Sequence, residues 1–326
     1  MKKFPIIMMA GMLFLAALLF FNSEYEDQEL SIPQDSFEET VQKQQQKSTA
    51  SGRRLASRKD MPDMNELSPK VSFIVGLEDA VSFIARDREA LDIDPNKLTK
   101  NDYQALMAFM DQQPGEHDDT LKFHSLKNSI LILLIKSGRY KYDLGYKMIE
   151  MVDAHKQDPV WKEYTVQFIP EYFEKHLSGN HLNHEEKDIM NKMIDIMWNA
   201  TQVQEGALAG TALMKLNQLS NDNPIDQNRI IESAERVLTG TFDDASQMGA
   251  IDVLLQNHSV EHFALLNNLT FDNSAPVTVR MIAMNAASRL SNDQSFLERL
   301  KEEILTDATD KRLKVVADKI INSKEL

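Results

Sequence analysis

The chain contains no cysteine. That absence removes disulfides, thiol nucleophiles and zinc–thiolate sites together, and it excludes a lipid-modified cysteine as a membrane anchor. Glycine and proline are also scarce, 11 and 10 in 326 residues, and alternating runs of Val, Ile and Thr are nearly missing. Sheet is therefore disfavoured and an all-α class is expected. No G-x-S-x-G elbow, phosphate-binding glycine loop or dinucleotide fingerprint occurs anywhere, so no enzymatic activity and no cofactor are expected. Positive charge is in deficit: 36 Lys and Arg face 50 Asp and Glu, a formal net charge of −14. Such a body repels nucleic acid and anionic lipid, so a nucleic-acid partner is not expected.

What is present begins with an address. Lys2 and Lys3 precede an apolar run from Pro5 to Phe21, and Glu24, Glu26, Asp27 and Glu29 follow it. At ~1.5 Å per residue the run spans roughly 26 Å, enough to enter a membrane with the lysines held on the cytoplasmic side. Phe20, Phe21 and Asn22 stand where signal peptidase prefers small residues. An uncleaved signal anchor over residues 1–22 is expected, and secretion if the segment is cut before Ser23. Residues 23–67 are polar and biased, with Gln42 to Lys47 reading QKQQQK, and are expected to form a disordered tether with a reach of roughly 35–40 Å. Its basic residues Lys43, Lys47, Arg53, Arg54, Arg58 and Lys59 read as a solvated charge run whose possible partner is an anionic surface.

Residues 68–326 carry amphipathic helical segments separated by short turns. Ser68-Pro69 has the residue types of an N-cap and first-turn proline, and Phe73, Ile74, Leu77, Val81 and Ile84 predict one buried stripe. Thr99 and Asp102 predict a capping box for a helix turning Leu106, Phe109 and Met110 inward, ended by Gln113-Pro114-Gly115. Further helices are predicted from Leu121 to Ile135, Tyr142 to Val152, Val160 to Leu177 and Glu185 to Trp198. Pro170 is expected to kink or split its helix, and the run Ile130 to Ile135, apolar all round, predicts a helix flanked on several sides.

The C-terminal half is weakly self-similar. Ala207 to Asp222 aligns with Thr278 to Asp293 at an offset of about 71 residues, two units of roughly 35, with a diverged helix from Ala245 to Leu255 between them. The segment Ser274 to Leu290, with Pro276 near its start, Val279-Arg280, and the small residues Ala283, Ala286 and Ala287, resembles the second helix of a HEAT repeat of the armadillo type. Ser125 to Leu131 followed by Gln157 to Phe168 resembles the helical-repeat arrangement of exported bacterial proteins of unassigned role. The resemblance spans residues 98–322 and implies an α-α superhelix, a HEAT-like solenoid, with a binding role and no catalytic residue to carry over.

Candidate chemistry lies in histidines. His258-Ser-Val-Glu261-His262 matches the H-x-x-E-H pattern in which two histidines hold zinc and the glutamate activates water, the basis of an alternative reading as an exported zinc metallohydrolase. The motif opens an otherwise ordinary repeat helix, so surface histidines near a helix start are the expectation. His176, His181 and His184 with Glu185 and Glu186 form a second cluster, read as solvated loop residues. Asp92, Asp94 and Asn96 have the start of a calcium loop, but Lys97 and Tyr103 replace its glycine and terminal glutamate.

The reading is therefore a membrane-tethered scaffold or adaptor, outside the cytoplasm and periplasmic if bacterial, that binds a protein or peptide partner. In stacked helix pairs the polar positions of a second-type helix face the binding surface. Arg280, Asn285 and Arg289 are the candidate partner-binding residues, with Ala283, Ala286 and Leu290 packed inward.

Overall fold

The computed structural model describes residues 62–76, 83–114, 119–153, 158–179, 181–257, 260–305 and 310–324. The expected anchor from Pro5 to Phe21 and the basic run of the tether lie outside them. Among the described residues there are fourteen α-helices and no strand, and no helix is long and apolar enough to cross a membrane. The helices are α1 (Pro69–Val75), α2 (Phe83–Leu91), α3 (Lys100–Phe109), α4 (Thr120–Ser137), α5 (Lys141–Asp153), α6 (Pro159–Tyr172) and α7 (His184–Ala200). They continue as α8 (Leu208–Leu219), α9 (Gln227–Thr239), α10 (Asp244–Gln256), α11 (Phe263–Phe271), α12 (Val277–Leu290), α13 (Gln294–Arg299) and α14 (Lys311–Lys324).

Local chemistry starts and stops these elements. The capping box at Thr99 and Asp102 is formed, and a second joins Asn183 to Glu186 at α7. Asp119, Asp158, Asp226 and Asp293 accept hydrogen bonds from first-turn amides of α4, α6, α9 and α13, satisfying donors the helix itself leaves open. Gly138 ends α4 at φ 66°, a left-handed conformation that costs a residue without Cβ little.

Packing follows a rule of two. Helices α2, α4, α6, α8, α10, α12 and α14 form a column in which each packs on the next. The intervening helices brace it: α5 packs on α6 and α7, α7 on α8, α9 on α8 and α10, and α11 on α12. One continuous apolar core runs between the layers. Self-similarity in the sequence has its counterpart here, since α8 and α12, the aligned segments, sit on either side of α10. As the all-round apolar run predicts, α4 is in contact with α2, α3, α5 and α6, and Ile130, Leu131, Leu133, Leu134 and Ile135 are buried.

Helices α8 and α10 approach each other closely through two glycines. A Cβ built on Gly249 would lie 2.8 Å from the Gly210 Cα, and one built on Gly210 would lie 2.7 Å from the Ser246 carbonyl oxygen. Ser246 Oγ fastens the contact, donating to the Gly206 carbonyl at 2.8 Å and accepting from the Gly210 amide at 3.2 Å.

Three local expectations need revision. The folded body reaches back before Ser68: Asp63 caps a 3-10 turn over Met64–Glu66, Leu67 is buried, and Glu66 accepts a hydrogen bond from Asn101. The stripe from Phe73 to Ile84 is broken, because Gly76 leaves the helix at ψ 143° and resets the phase. Ile74 is buried while Phe73 and Ile84 are exposed, and Leu77 and Val81 fall outside the described residues. Pro170 does not split its helix. It is buried within α6, and the chain widens into a π turn over Phe173–Leu177 just after it.

Candidate partner-binding face

The three residues expected to face a partner separate in the structure. Asn285 and Arg289 are exposed on α12. Arg280 is buried, with 6% of its surface exposed, and its Nε donates to the Thr270 carbonyl oxygen at 3.0 Å. Burial lowers its pKa while Asp272 and Asp310 oppose the shift. The reason is register: Arg280 shares its stripe with Ala283, Met284 and Ala287, all buried at the next turns. It caps the C-terminal carbonyls of α11 instead of meeting a partner, a structural use of a cation at a helix end.

Arg289 leads to a larger arrangement. It faces Asp252 on α10 electrostatically, and Asp252 accepts from Gln256, whose carbonyl oxygen accepts from Asn217 of α8. On α8, Lys215 faces Glu171 of α6, and Glu171 also faces Lys136 of α4. One turn away Thr211 donates to Glu163 of α6 at 3.2 Å, and Gln167 donates to the same carboxylate. These side chains fall into two groups, one joining α4, α6 and α8 about Glu163 and Glu171, the other joining α8, α10 and α12 about Asp252 and Gln256.

The electrostatics of this face are unusual for the molecule. Burial pushes the carboxyls of Glu163, Glu171 and Asp252 above their ordinary range, against the hydrogen bonds and cations near them, and pushes the Lys215 ammonium down. Elsewhere, acids such as Asp92, Asp119, Asp188 and Asp310 are held below that range by paired cations. Among the described residues Lys136, Glu171, Lys215, Asp252 and Arg289 close no ion pair within 4 Å, whereas Lys147–Asp111 and Lys192–Asp188 close at 2.6 and 2.8 Å. Glu163, Lys215 and Asp252 are half-buried, while Lys136, Glu171 and Arg289 are exposed.

A second locus lies inside the body, between α4 and α6. Lys127 is 1% exposed and sits between the rings of Phe123 and Trp161, 5.1 and 5.0 Å from their centroids. Burial brings its ammonium down to about 7, with Asp111 and Asp158 opposing and Lys147 adding to the shift. Beside it the buried His124 places Nε2 3.5 Å from Asp158 Oδ2, while its Nδ1 and the Trp161 indole nitrogen have no hydrogen-bond partner among the described residues. A signal for this locus was on the page: Lys127 stands in phase with Phe123, Ile130, Leu131 and Leu134, an apolar stripe interrupted by one charge.

The histidine motifs come apart. His258 lies outside the described residues, Glu261 is exposed, and His262 is buried at 4% exposure with Nδ1 3.3 Å from Glu235 Oε1 of α9. The expectation of a surface histidine fails for His262, because the 3-10 turn Val260–His262 that leads into α11 turns its ring beneath the chain. In the other cluster His176 Nε2 is 2.9 Å from the Ile135 carbonyl oxygen and its ring packs on Tyr172, while His181 and His184 are exposed and Glu186 serves the α7 cap and pairs with Lys141. Among the described residues no group of three His, Asp or Glu side chains is arranged to hold a metal ion.

Comparison with family models, curated proteins and solved structures finds no match to this chain.

Proposed function

We propose that this protein is a HEAT-like α-solenoid that works as a scaffold or adaptor, binding a protein or peptide segment on the face formed by the even-numbered helices and catalysing no reaction itself. The observation that carries the reading is the open charge on that face. Holding Glu163, Lys215 and Asp252 partly out of water without closing ion pairs costs folding free energy, and a partner with complementary groups recovers it on binding. The helix column supports the repeat reading: its members begin at Phe83, Thr120, Pro159, Leu208, Asp244, Val277 and Lys311, at intervals of roughly 33–39 residues with one of roughly 49, in the range of two-helix repeats.

Placement follows from the N-terminal segment: Pro5 to Phe21 anchors the chain in a membrane, the tether holds the body away from it, and the body lies outside the cytoplasm, periplasmic in a bacterium or secreted if the anchor is cut. The test is cross-linking of the anchored, full-length protein in cells, followed by mapping of the cross-linked peptides. Cross-links concentrated on α6, α8, α10 and α12 are expected. A partner mapping only to α5, α7 and α9 would move the site to the opposite layer, and stoichiometric zinc in tag-free protein would favour the hydrolase built on His258, Glu261 and His262.

A further inference from the structure

Near the C-terminal end of the described body an open cleft of about 380 Å³ lies between α12, α13 and α14. Ser288 lines it from α12, Ser291 and Asn292 from the connection, Gln294 and Leu297 from α13, and Ser323 and Lys324 from α14. Its volume is in the range of small-ligand sites. No carboxylate is among these groups: Asp293, between Asn292 and Gln294 in the chain, turns into the cap of α13 and accepts from the Ser295 amide and hydroxyl at 2.9 Å. Lys324 donates to the Asn292 side-chain oxygen and has no carboxylate within 4 Å among the described residues. Its ammonium has donors to spare, and the Asn292 amide group, its oxygen engaged, is left as a donor. Ser291 Oγ accepts from the Asp293 amide at 3.1 Å, which leaves its hydrogen to give. Ser288 and Ser323 do the reverse: each donates to a carbonyl of its own helix, Asn285 and Ile320, at 2.8 Å, and keeps an oxygen that accepts.

The cleft therefore offers one cation and several N–H and O–H donors beside hydroxyl acceptors. We propose that it binds the carboxylate end of a peptide chain, with Lys324, Asn292 and Ser291 donating to the terminal carboxylate, Ser288 and Ser323 accepting from backbone amides, and Leu297 lying against the last side chain. A bare anion fits less well. Helices α12 and α14 both end at the cleft, and the partial negative charge of their last carbonyls opposes an anion that brings no donor of its own. A peptide end brings N–H groups together with its charge. The inference rests on the reading of this protein as a binder of polypeptide, and it adds what part of a partner is held and where.

The experiment uses short fluorescein-labelled Gly-Ser peptides ending in Ala or in Leu, each with a free C-terminal carboxylate or with a C-terminal amide. Their binding to the full-length protein in detergent micelles is read by anisotropy. A free-acid peptide is expected to bind at least about ten-fold more tightly than its amide. Lys324→Gln, which removes the cation, and Gln294→Glu, which sets an acid in the cleft, are each expected to abolish that difference. Both positions are exposed, and an unchanged helical signal at 222 nm shows that the fold is kept; either variant serves if the other folds poorly. Acetate is expected to displace the labelled peptide only at concentrations at least about ten-fold above those at which the unlabelled peptide does so. Equal potency of acetate would assign the cleft to small free anions and overturn the proposal. Equal affinity for acid and amide, or a preference that survives both substitutions, would overturn it as well. If cross-links still concentrate on α6 to α12 after such a result, this cleft alone is removed. Chain-end binding without those cross-links would keep the cleft and overturn the even-helix face as the place where a partner lies.

Discussion

At the scale of single residues, the informative side chains are charges standing in apolar stripes. Lys127 is the clearest, an ammonium flanked by Phe123 and Trp161 with no ion pair within 4 Å among the described residues. Its pKa falls to about 7 in the folded protein, against about 10.4 in an unfolded chain. Between those values the unfolded state holds the proton and the folded state does not, so this group makes stability rise with pH from about 7 to about 10. Lys127→Met removes the desolvation cost and is expected to stabilise the protein at pH 6.5 by about 1–4 kcal/mol, as apolar replacements of buried ionic groups do. The gain should shrink toward pH 9.5, read as converging urea midpoints. A variant less stable than the parent at pH 6.5 would mean that the two rings bind the cation by more than its burial costs. Arg280 teaches the same lesson from the other side. Its phase with Ala283 and Ala287 was legible, but its acceptor, the Thr270 carbonyl, belongs to a preceding helix, and no local pattern announces a carbonyl waiting for a cation.

Helices are the scale at which the sequence was most transparent. The capping box at Thr99 and the inward set Leu106, Phe109 and Met110 rest on periodicity and short-range hydrogen bonds, which are properties of neighbouring residues. What was hidden depends on contacts between helices or on one-residue changes of phase: the reset at Gly76, the widening after Pro170, and the meeting of Gly210 with Gly249. The glycine contact gives a test whose sign is diagnostic. In an exposed helix Gly→Ala stabilises by up to about 1 kcal/mol. At Gly249 the new methyl meets backbone at 2.8 Å, so Gly249→Ala is expected to destabilise by about 1–3 kcal/mol, measured by chemical denaturation followed at 222 nm. Stabilisation instead would show that α8 and α10 part at little cost and that Ser246, not close packing, holds them in register.

For the whole molecule, the column of even helices matters most. Each of its interior members packs on the one before and the one after. Contacts along the column are between neighbours, and the apolar core continues from one helix pair to the next. This connectivity decides how the folded body gives under load. Pulled from its ends, the chain has no single contact whose loss releases the rest, so helix pairs should peel from the termini one after another. Force spectroscopy is expected to record a series of small extensions at modest load, with refolding on relaxation, and not one abrupt rip of the full contour length. The body would then lengthen step by step under strain while its central helices stay packed.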